Sequence, residues 1–479
     1  KGTSLCCLKV APDERVFHRL MEHTSFGSKH REEVSESALL SAYINVRKQP
    51  SEVVKMLSSI ESVAKKIYED VRGVSLYGGC VYGGYSSDID CSIMIGEPYT
   101  YACDRIPIEK LVSFHGTRRY RSQFRRDKLD ELQYIQQYMK EQCPEFQSSK
   151  VIHALCPIME CKYGGYEVDI SLDNYEAVYN TDIVNEYVMI SPRAGAVLHY
   201  VKSINKAMGI INPKDGLFNS ITIVFMTIAY LQNIGMFPNL QDPQLIEASL
   251  RAHERIISRT PLVSILPVEY VTSDSSTVEP YKEKWEKADI VELILGYFSY
   301  YTVRRLSEPI SIAPNTLVEI PSSGSAIEVF APFVPFFNVT GYIDDDCLDL
   351  MESVYRQPPK NILKLLKECV GQSSHTNTQF RTKTVCVKGV AHDCTMEELA
   401  QDFSQYRPTQ ILGYFPSAYD SASQEKGVAF IQFSPENVQN LLKDKGFQRG
   451  IGYTITPFFD DIFVTPPSGY LYYDCRADL

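Results

Sequence analysis

The chain contains no run of about 18 apolar residues, which excludes a membrane-spanning helix. It has no Cys-x-x-Cys pair, and its 13 cysteines are scattered and odd in number. That argues against a zinc site and for reduced thiols in an intracellular compartment. An excess of positive charge is missing too: 48 Lys and Arg against 59 Asp and Glu leave a net charge of −11. Bulk charge therefore cannot hold nucleic acid, and any RNA track must be a local basic patch. There is one tryptophan, Trp285, in a charged helix start where packing is expected rather than ligand binding. The chain starts at Lys1 rather than Met, as expected of a trimmed or processed form whose targeting segment is not visible.

What is present is ordinary for a globular protein. The chain has 479 residues, 44% hydrophobic and 22% charged, enough for two or three domains. One stretch stands out, Tyr77-Gly-Gly-Cys-Val-Tyr-Gly-Gly-Tyr-Ser-Ser-Asp-Ile-Asp90, followed by the apolar run Cys91 to Ile95. The Asp88-Ile89-Asp90 alternation suits a strand with both carboxylates on one face and Ile89 in the core. Two adjacent carboxylates repel and need a cation to stay ionised. Hard oxygen ligands favour Mg²⁺ or Mn²⁺. The preceding glycines can bring backbone N–H groups near a phosphate. A second strand pattern, Gly165-Tyr-Glu-Val-Asp-Ile-Ser-Leu172, carries Asp169. Three strand-borne aspartates can hold two metal ions for in-line phosphoryl or nucleotidyl transfer. A bare Asp-x-Asp would more often be a solvated turn.

A glycine loop, Ser87-Asp88-Ile89-Asp90 and Val168-Asp169-Ile170-Ser171 together resemble the DNA polymerase β-like nucleotidyltransferases. The branch is that of template-independent RNA tailing enzymes, poly(A) polymerases and terminal uridylyltransferases. Gly209-Ile-Ile-Asn-Pro-Lys-Asp-Gly-Leu-Phe-Asn-Ser220 is similar to that branch's poly(A) polymerase-associated segment. The resemblance spans residues 75 to 345 or so. It implies an α+β fold: a nucleotidyltransferase palm with a mixed sheet (45–182), then a helical central domain (183–370, with residues 1–44 added). Divergent motifs and the missing Met make a mitochondrial poly(A) polymerase, of kinetoplastid type, the narrower expectation.

Local patterns supply the rest of the organisation. Apolar residues at helical spacing predict helices over 33–43 and 51–71, with Ser51 as N-cap. Residues 105–143 read as a charged helical segment with Arg118, Arg119, Arg121, Arg125 and Arg126 around Tyr120 and Phe124. It could grip RNA phosphates and stack on bases, or be a solvated face. Residues 151–170 read as a hairpin turning at Gly164-Gly165. Residues 221–231 read as a core helix, and 371–382 as a linker. Residues 383–460 show a βαββαβ order, with a tail over 461–479. This resembles an RNA recognition motif, but Cys386 and Val428 stand where two stacking aromatics are expected and only Phe430 remains. Losing two platforms worth about 1–3 kcal/mol each leaves RNA contact weak and protein docking equally open.

The resemblance implies roles by position. Asp88, Asp90 and Asp169 would be catalytic metal ligands, and Asp169 would take the proton of an RNA 3′-OH attacking the α-phosphate of a nucleoside triphosphate. Gly78, Gly79, Gly83 and Ser87 would shape the phosphate loop. Asn180 would meet the ribose 2′-OH, with Thr181 also in the nucleotide site, and Lys202, Lys206 and Ser220 would meet the triphosphate. Ile221 would face the base where an aromatic is usual, and Gly79 replaces a serine. Residues 331–339 match a segment that reads uracil through acids and a histidine. Here Ala331 and Val334 replace the acids and Phe337 the histidine. A buried unpaired donor costs about 1–3 kcal/mol, so this wall suits ATP better than UTP. The expectation is a polynucleotide adenylyltransferase with two Mg²⁺ or Mn²⁺ ions, an RNA 3′ end as substrate and a protein partner that aids RNA retention. A uridylyltransferase and a catalytically inactive RNA-binding or scaffolding relative remain the alternatives.

Overall fold

The computed structural model describes residues 34–84, 88–95, 114–153, 156–213, 216–259, 268–303, 309–314, 327–333, 338–343, 348, 351, 354–356, 359–371, 383–391, 394–414, 427–444, 447, 450, 452–458 and 471–475. By contacts they fall into two units, one within Lys1–Ser203, Pro213–Arg356 and Leu366–His375, the other within Ile204–Asn212, Gln357–Leu365 and Thr376–Leu479.

The first unit is built on a five-stranded mixed sheet. Its strands are β1 (Gly73–Tyr77), β2 (Asp88–Met94), β3 (Phe146–Ile152), β4 (Ile158–Tyr163) and β5 (Tyr166–Leu172), in the order β1-β2-β5-β4-β3. β2 and β5 are parallel, and the other pairs are antiparallel. Alternation sends Ile89, Cys91 and Ile93 of β2, and Val168 and Ile170 of β5, into one core. Two helices cover that face. Ser51–Ile67 contributes Val53, Met56, Ile60 and Val63, and Phe114–Gln142 contributes Leu132, Ile135 and Met139. Their apolar residues recur at three and four, which is why these segments are helical and lie on the sheet.

The pattern reading holds at one of three boundaries and differs at two. The helix N-cap is Pro50, not Ser51, and the Ser51 hydroxyl donates to Glu52 instead. Proline presets the extended dihedrals a cap residue needs. The Gly164-Gly165 turn is present, with Gly164 at φ 58°, but it joins β4 to β5. β3 is a further edge strand that the local pattern did not separate.

Helices Tyr175–Met189 and Pro192–Ala207 follow the sheet. Next comes Ser220–Asn233, whose residues Thr222 to Leu231 are all buried, as its continuous apolar run requires. The Asn219 side chain caps it by accepting from the Thr222 N–H. Helix Ile290–Val303 packs there, the Tyr301 hydroxyl donating to the Met226 carbonyl at 2.7 Å. Trp285 is fully buried against Phe237, a packing role. Two small ladders complete this part: β6 (Ile256–Arg259) with β7 (Val268–Val271), and β8 (Ile310–Ser311) with β9 (Val329–Phe330).

In the second unit a five-stranded antiparallel sheet holds β10 (Thr384–Val390), β11 (Gln410–Tyr414), β12 (Gly427–Gln432), β13 (Thr454–Phe458) and β14 (Leu471–Asp474). The strand order is β13-β10-β12-β11-β14. Helices Met396–Asp402 and Pro435–Lys443 complete the β-α-β-β-α-β order read from the sequence. The first is closed by a Thr395–Glu398 capping box. β14 adds a strand where the sequence reading has a tail. One face packs Val385, Val387, Leu399, Phe403, Ile411, Ile431 and Leu441. On the other face Cys386, Leu412 and Phe430 form a separate buried cluster with Val428 beside it. Phe430 is 7% exposed, so it presents no open ring for stacking.

Candidate active site

The register of the palm sheet assembles the carboxylates. Tyr77, Asp90, Asp169, Glu160 and Lys150 are successive partners across β1, β2, β5, β4 and β3, one rung on one face. Asp88 opens β2 two residues earlier, on the same face, and is exposed. Ile89 between them is buried. Burial, and after it the Asp88 charge, pushes the Asp90 carboxyl up to about 6 against the pull of Lys202. Asp88 and Asp90 therefore sense each other, as two ligands of one cation would. Burial, with the Asp90 charge second, also raises the Tyr77 hydroxyl.

Below this rung lies a tight glycine turn. Gly78 has φ 72°, and the turn Gly79–Tyr82 follows it. A Cβ on Gly78 would stand 3.1 Å from Asp90 Oδ2, so dihedral and space both demand glycine. A Cβ on Gly79 would stand 2.7 Å from Lys202 Nζ, and one on Gly83 3.2 Å from the same atom. The Lys202 ammonium thus fills the volume a side chain at 79 would take. Three residues earlier on its helix, His199 donates from Nδ1 to the Gly83 carbonyl. Burial first, then the Lys202 charge, lowers that imidazole to about 4 and keeps it neutral. The Thr181 hydroxyl accepts from the Gly78 N–H at 2.8 Å and donates to the Ala177 carbonyl at 2.7 Å. It holds the turn.

Asn180 precedes it, 7% exposed, with its Oδ1 left without a partner. Buried acceptors are nearly always satisfied, so this one is open to a donor. Ser220 and Ile221 open the helix Ser220–Asn233 and are both half-buried, unlike the ten residues after them. Lys206 follows Lys202 by one turn, is exposed, and falls in the second unit. Ser87 and Phe337 lie outside the described residues. So do the side chains of Arg118, Arg119, Arg121, Arg125 and Arg126, in the helix Phe114–Gln142. Sequence reasoning missed His199 and Glu160. The i, i+3 spacing to Lys202 could have pointed to the first, and the strand alternation of Ile158 to Lys162 to the second.

The donor set fits a hard divalent cation: all-oxygen ligands on two adjacent strands, two of them in mutual repulsion. Among the described residues no three His, Cys, Asp or Glu side chains close around a point. Mg²⁺ is usually held by one or two carboxylates together with substrate phosphates, which is what such an open set offers.

Residues 37–189 match the family model of the central palm domain of mitochondrial-like poly(A) RNA polymerases. The chain is 25% identical over 238 residues to poly(A) RNA polymerase GLD2 of Xenopus tropicalis, covering 48% of this chain and 37% of that protein. It is 26% identical over 238 residues to poly(A) RNA polymerase gld-2 of Caenorhabditis elegans, covering 48% of this chain and 18% of that one. The match thus spans well under half the length of these curated relatives. A solved structure of mtPAP in complex with ATPγS superposes with a TM-score of 0.51 at 17% identity, covering 74% of this chain and 75% of that one. At that identity the likeness shows the fold. Over residues 37–189 the chain is thus similar to the palm of the poly(A) RNA polymerases, and its fold is that of the mtPAP structure.

Proposed function

We propose that the chain is an RNA 3′-end nucleotidyltransferase that transfers AMP from ATP. The observation that carries this reading is the pairing of Asp90 with Asp169 in one parallel rung, above a glycine turn covered by Lys202. Asp88, Asp90 and Asp169 would hold the divalent ions, which when bound neutralise charge on the triphosphate and lower the pKa of the attacking hydroxyl. The chain's own groups do the rest. Lys202 supplies a positive charge at the turn where the β- and γ-phosphates would rest. His199 and Thr181 fix the two ends of that turn. Asn180 Oδ1 would accept from the ribose 2′-OH, which separates RNA precursors from DNA precursors. Asp169 would take the 3′-OH proton as the hydroxyl oxygen attacks the α-phosphorus and pyrophosphate departs.

The preference for ATP rests on residues 331–339. Ala331 and Phe333 are buried, and no carboxylate stands at Ala331 to accept from uracil N3–H. A mitochondrial setting is the narrower form of this proposal, supported by the palm family alone. No helix among the described residues is long and apolar enough to cross a membrane. The test is extension of a short single-stranded RNA with each nucleoside triphosphate in turn. A ladder with ATP alone supports the assignment, a ladder with UTP moves it to uridylyl transfer, and none with any nucleotide overturns it.

A further inference from the structure

At the β3 edge of the palm sheet, where the acidic rung ends in Lys150, a cavity of about 600 Å³ runs between that strand and the helix Phe114–Gln142, which covers the opposite face. Gln133, Gln136, Gln137 and Lys140 line one wall, and Ser149, Lys150, Val151 and His153 the other. The lining has two ammonium groups, four neutral polar side chains, an imidazole and no carboxylate. Val151 is its one aliphatic member, so an apolar peptide would gain little there. In a chain of net charge −11 this is an anion-accepting surface. Among the described residues neither Lys140 nor Lys150 enters an ion pair, and the Ser149 hydroxyl has no hydrogen-bond partner. Gln136 fixes the groove by donating to the Ser149 carbonyl at 2.7 Å. Two acids neighbour the lining without forming part of it. Glu141 takes a bond from Gln137 at 3.3 Å, and Glu160 pairs with Lys150 in the ladder. That ladder gives the position: Lys150, Glu160 and Asp169 occupy neighbouring strands, so Lys150 stands about 10 Å from Asp169.

We propose that this groove holds the phosphodiester backbone of the substrate RNA, a nucleotide or more upstream of the 3′ end presented to Asp169. The proposal rests on the RNA reading above and names where the primer is gripped. Lysine ammonium groups and amide N–H groups suit phosphate oxygens without reading bases, as tailing of varied 3′ ends requires. The test is the double charge reversal Lys140→Glu/Lys150→Glu in the full chain, at exposed positions that leave the core intact. Binding of a fluorescent 15-nucleotide RNA is followed by anisotropy in EDTA, so no turnover is needed. The variant should bind about tenfold more weakly or worse, and the slope of log K against log salt should flatten by about 0.7 per lost phosphate contact. In extension assays the KM for RNA should rise while the KM for ATP holds, and Lys→Arg at both positions should restore binding. RNA affinity and salt slope equal to the parent's would overturn the groove. A parent that extends no RNA, but whose RNA binding falls with the charge reversal, overturns the enzymatic reading and leaves the groove standing.

Discussion

The chain holds two five-stranded sheets, and each has one face packed against helices. Their other faces teach opposite lessons. In the palm, one rung reads Tyr77, Asp90, Asp169, Glu160, Lys150. In the second unit, the matching central rung reads Thr456, Cys386, Phe430, Leu412, Tyr472. The first places like charges side by side, which costs stability and is retained only where a ligand rewards it. The second buries Cys386, Phe430 and Leu412 at its centre, which stabilises the sheet and offers no chemistry. Strand count and a single helix-packed face would not separate them. The residues at the centre of the free face do.

The widest separation should come from the acids. Asp169→Ala and Asp88→Ala should each lower primer extension by about 10³-fold or more, since the lost ion contacts are worth several kcal/mol. The thermal midpoint of Asp88→Ala should hold or rise, because Asp88 and Asp90 repel in the fold. An Asp88→Ala protein as active as the parent would remove the rung from the mechanism. Phe430→Ala should do the reverse, costing roughly 3 kcal/mol of stability in denaturant melts of the second unit while kcat stays near the parent's. A loss of RNA affinity without loss of stability would instead make Phe430 a stacking platform. Smaller again is Lys202→Ala, expected to raise the KM for the triphosphate about tenfold or more, the worth of one charge-assisted contact. The smallest effect concerns His199. Its pKa is depressed in the fold, so its contribution is present above the unfolded value of 6.5 and lost as pH falls toward about 4. The midpoint should drop by a few degrees more between pH 7 and pH 5 in the parent than in His199→Gln, read by scanning calorimetry.

Much of this was legible in the sequence because it is local. The Asp88-Ile89-Asp90 alternation predicts the face of each side chain, and Ile89 is buried as expected. The apolar run after Asn219 reads as a core helix and is one. Strands β10 and β12 and the helix Pro435–Lys443 fall close to where period and turn residues put them. What was not legible is long-range. No local pattern shows that Lys202 Nζ stands where a Gly79 side chain would be, or that the Thr181 hydroxyl takes the Gly78 N–H. β3 was missed because its alternation is weak: a register shift interrupts it between Gln147 and Lys150, and much of the strand is exposed. The vacancy at position 79 reads in sequence as a lost hydroxyl. In the fold it is the space that lets an ammonium approach the turn.

The parallel pairing of β2 with β5 has a consequence for synthesis of the chain. Antiparallel neighbours can zip from a tight turn, but a parallel pair must wait for its whole crossover, here a long helix and two further strands. Asp90 leaves the ribosome well before Asp169, and nothing holds the two together until β5 is out and closes on β2. At about 5–20 residues per second, that is an interval of seconds in which the nascent palm has acids but no site. Such non-local closure is slow by nature and arrives in one step. On the proposed reading an unfinished chain would not act on RNA, and a fragment ending before Asp169 should be inert however well its first helices form.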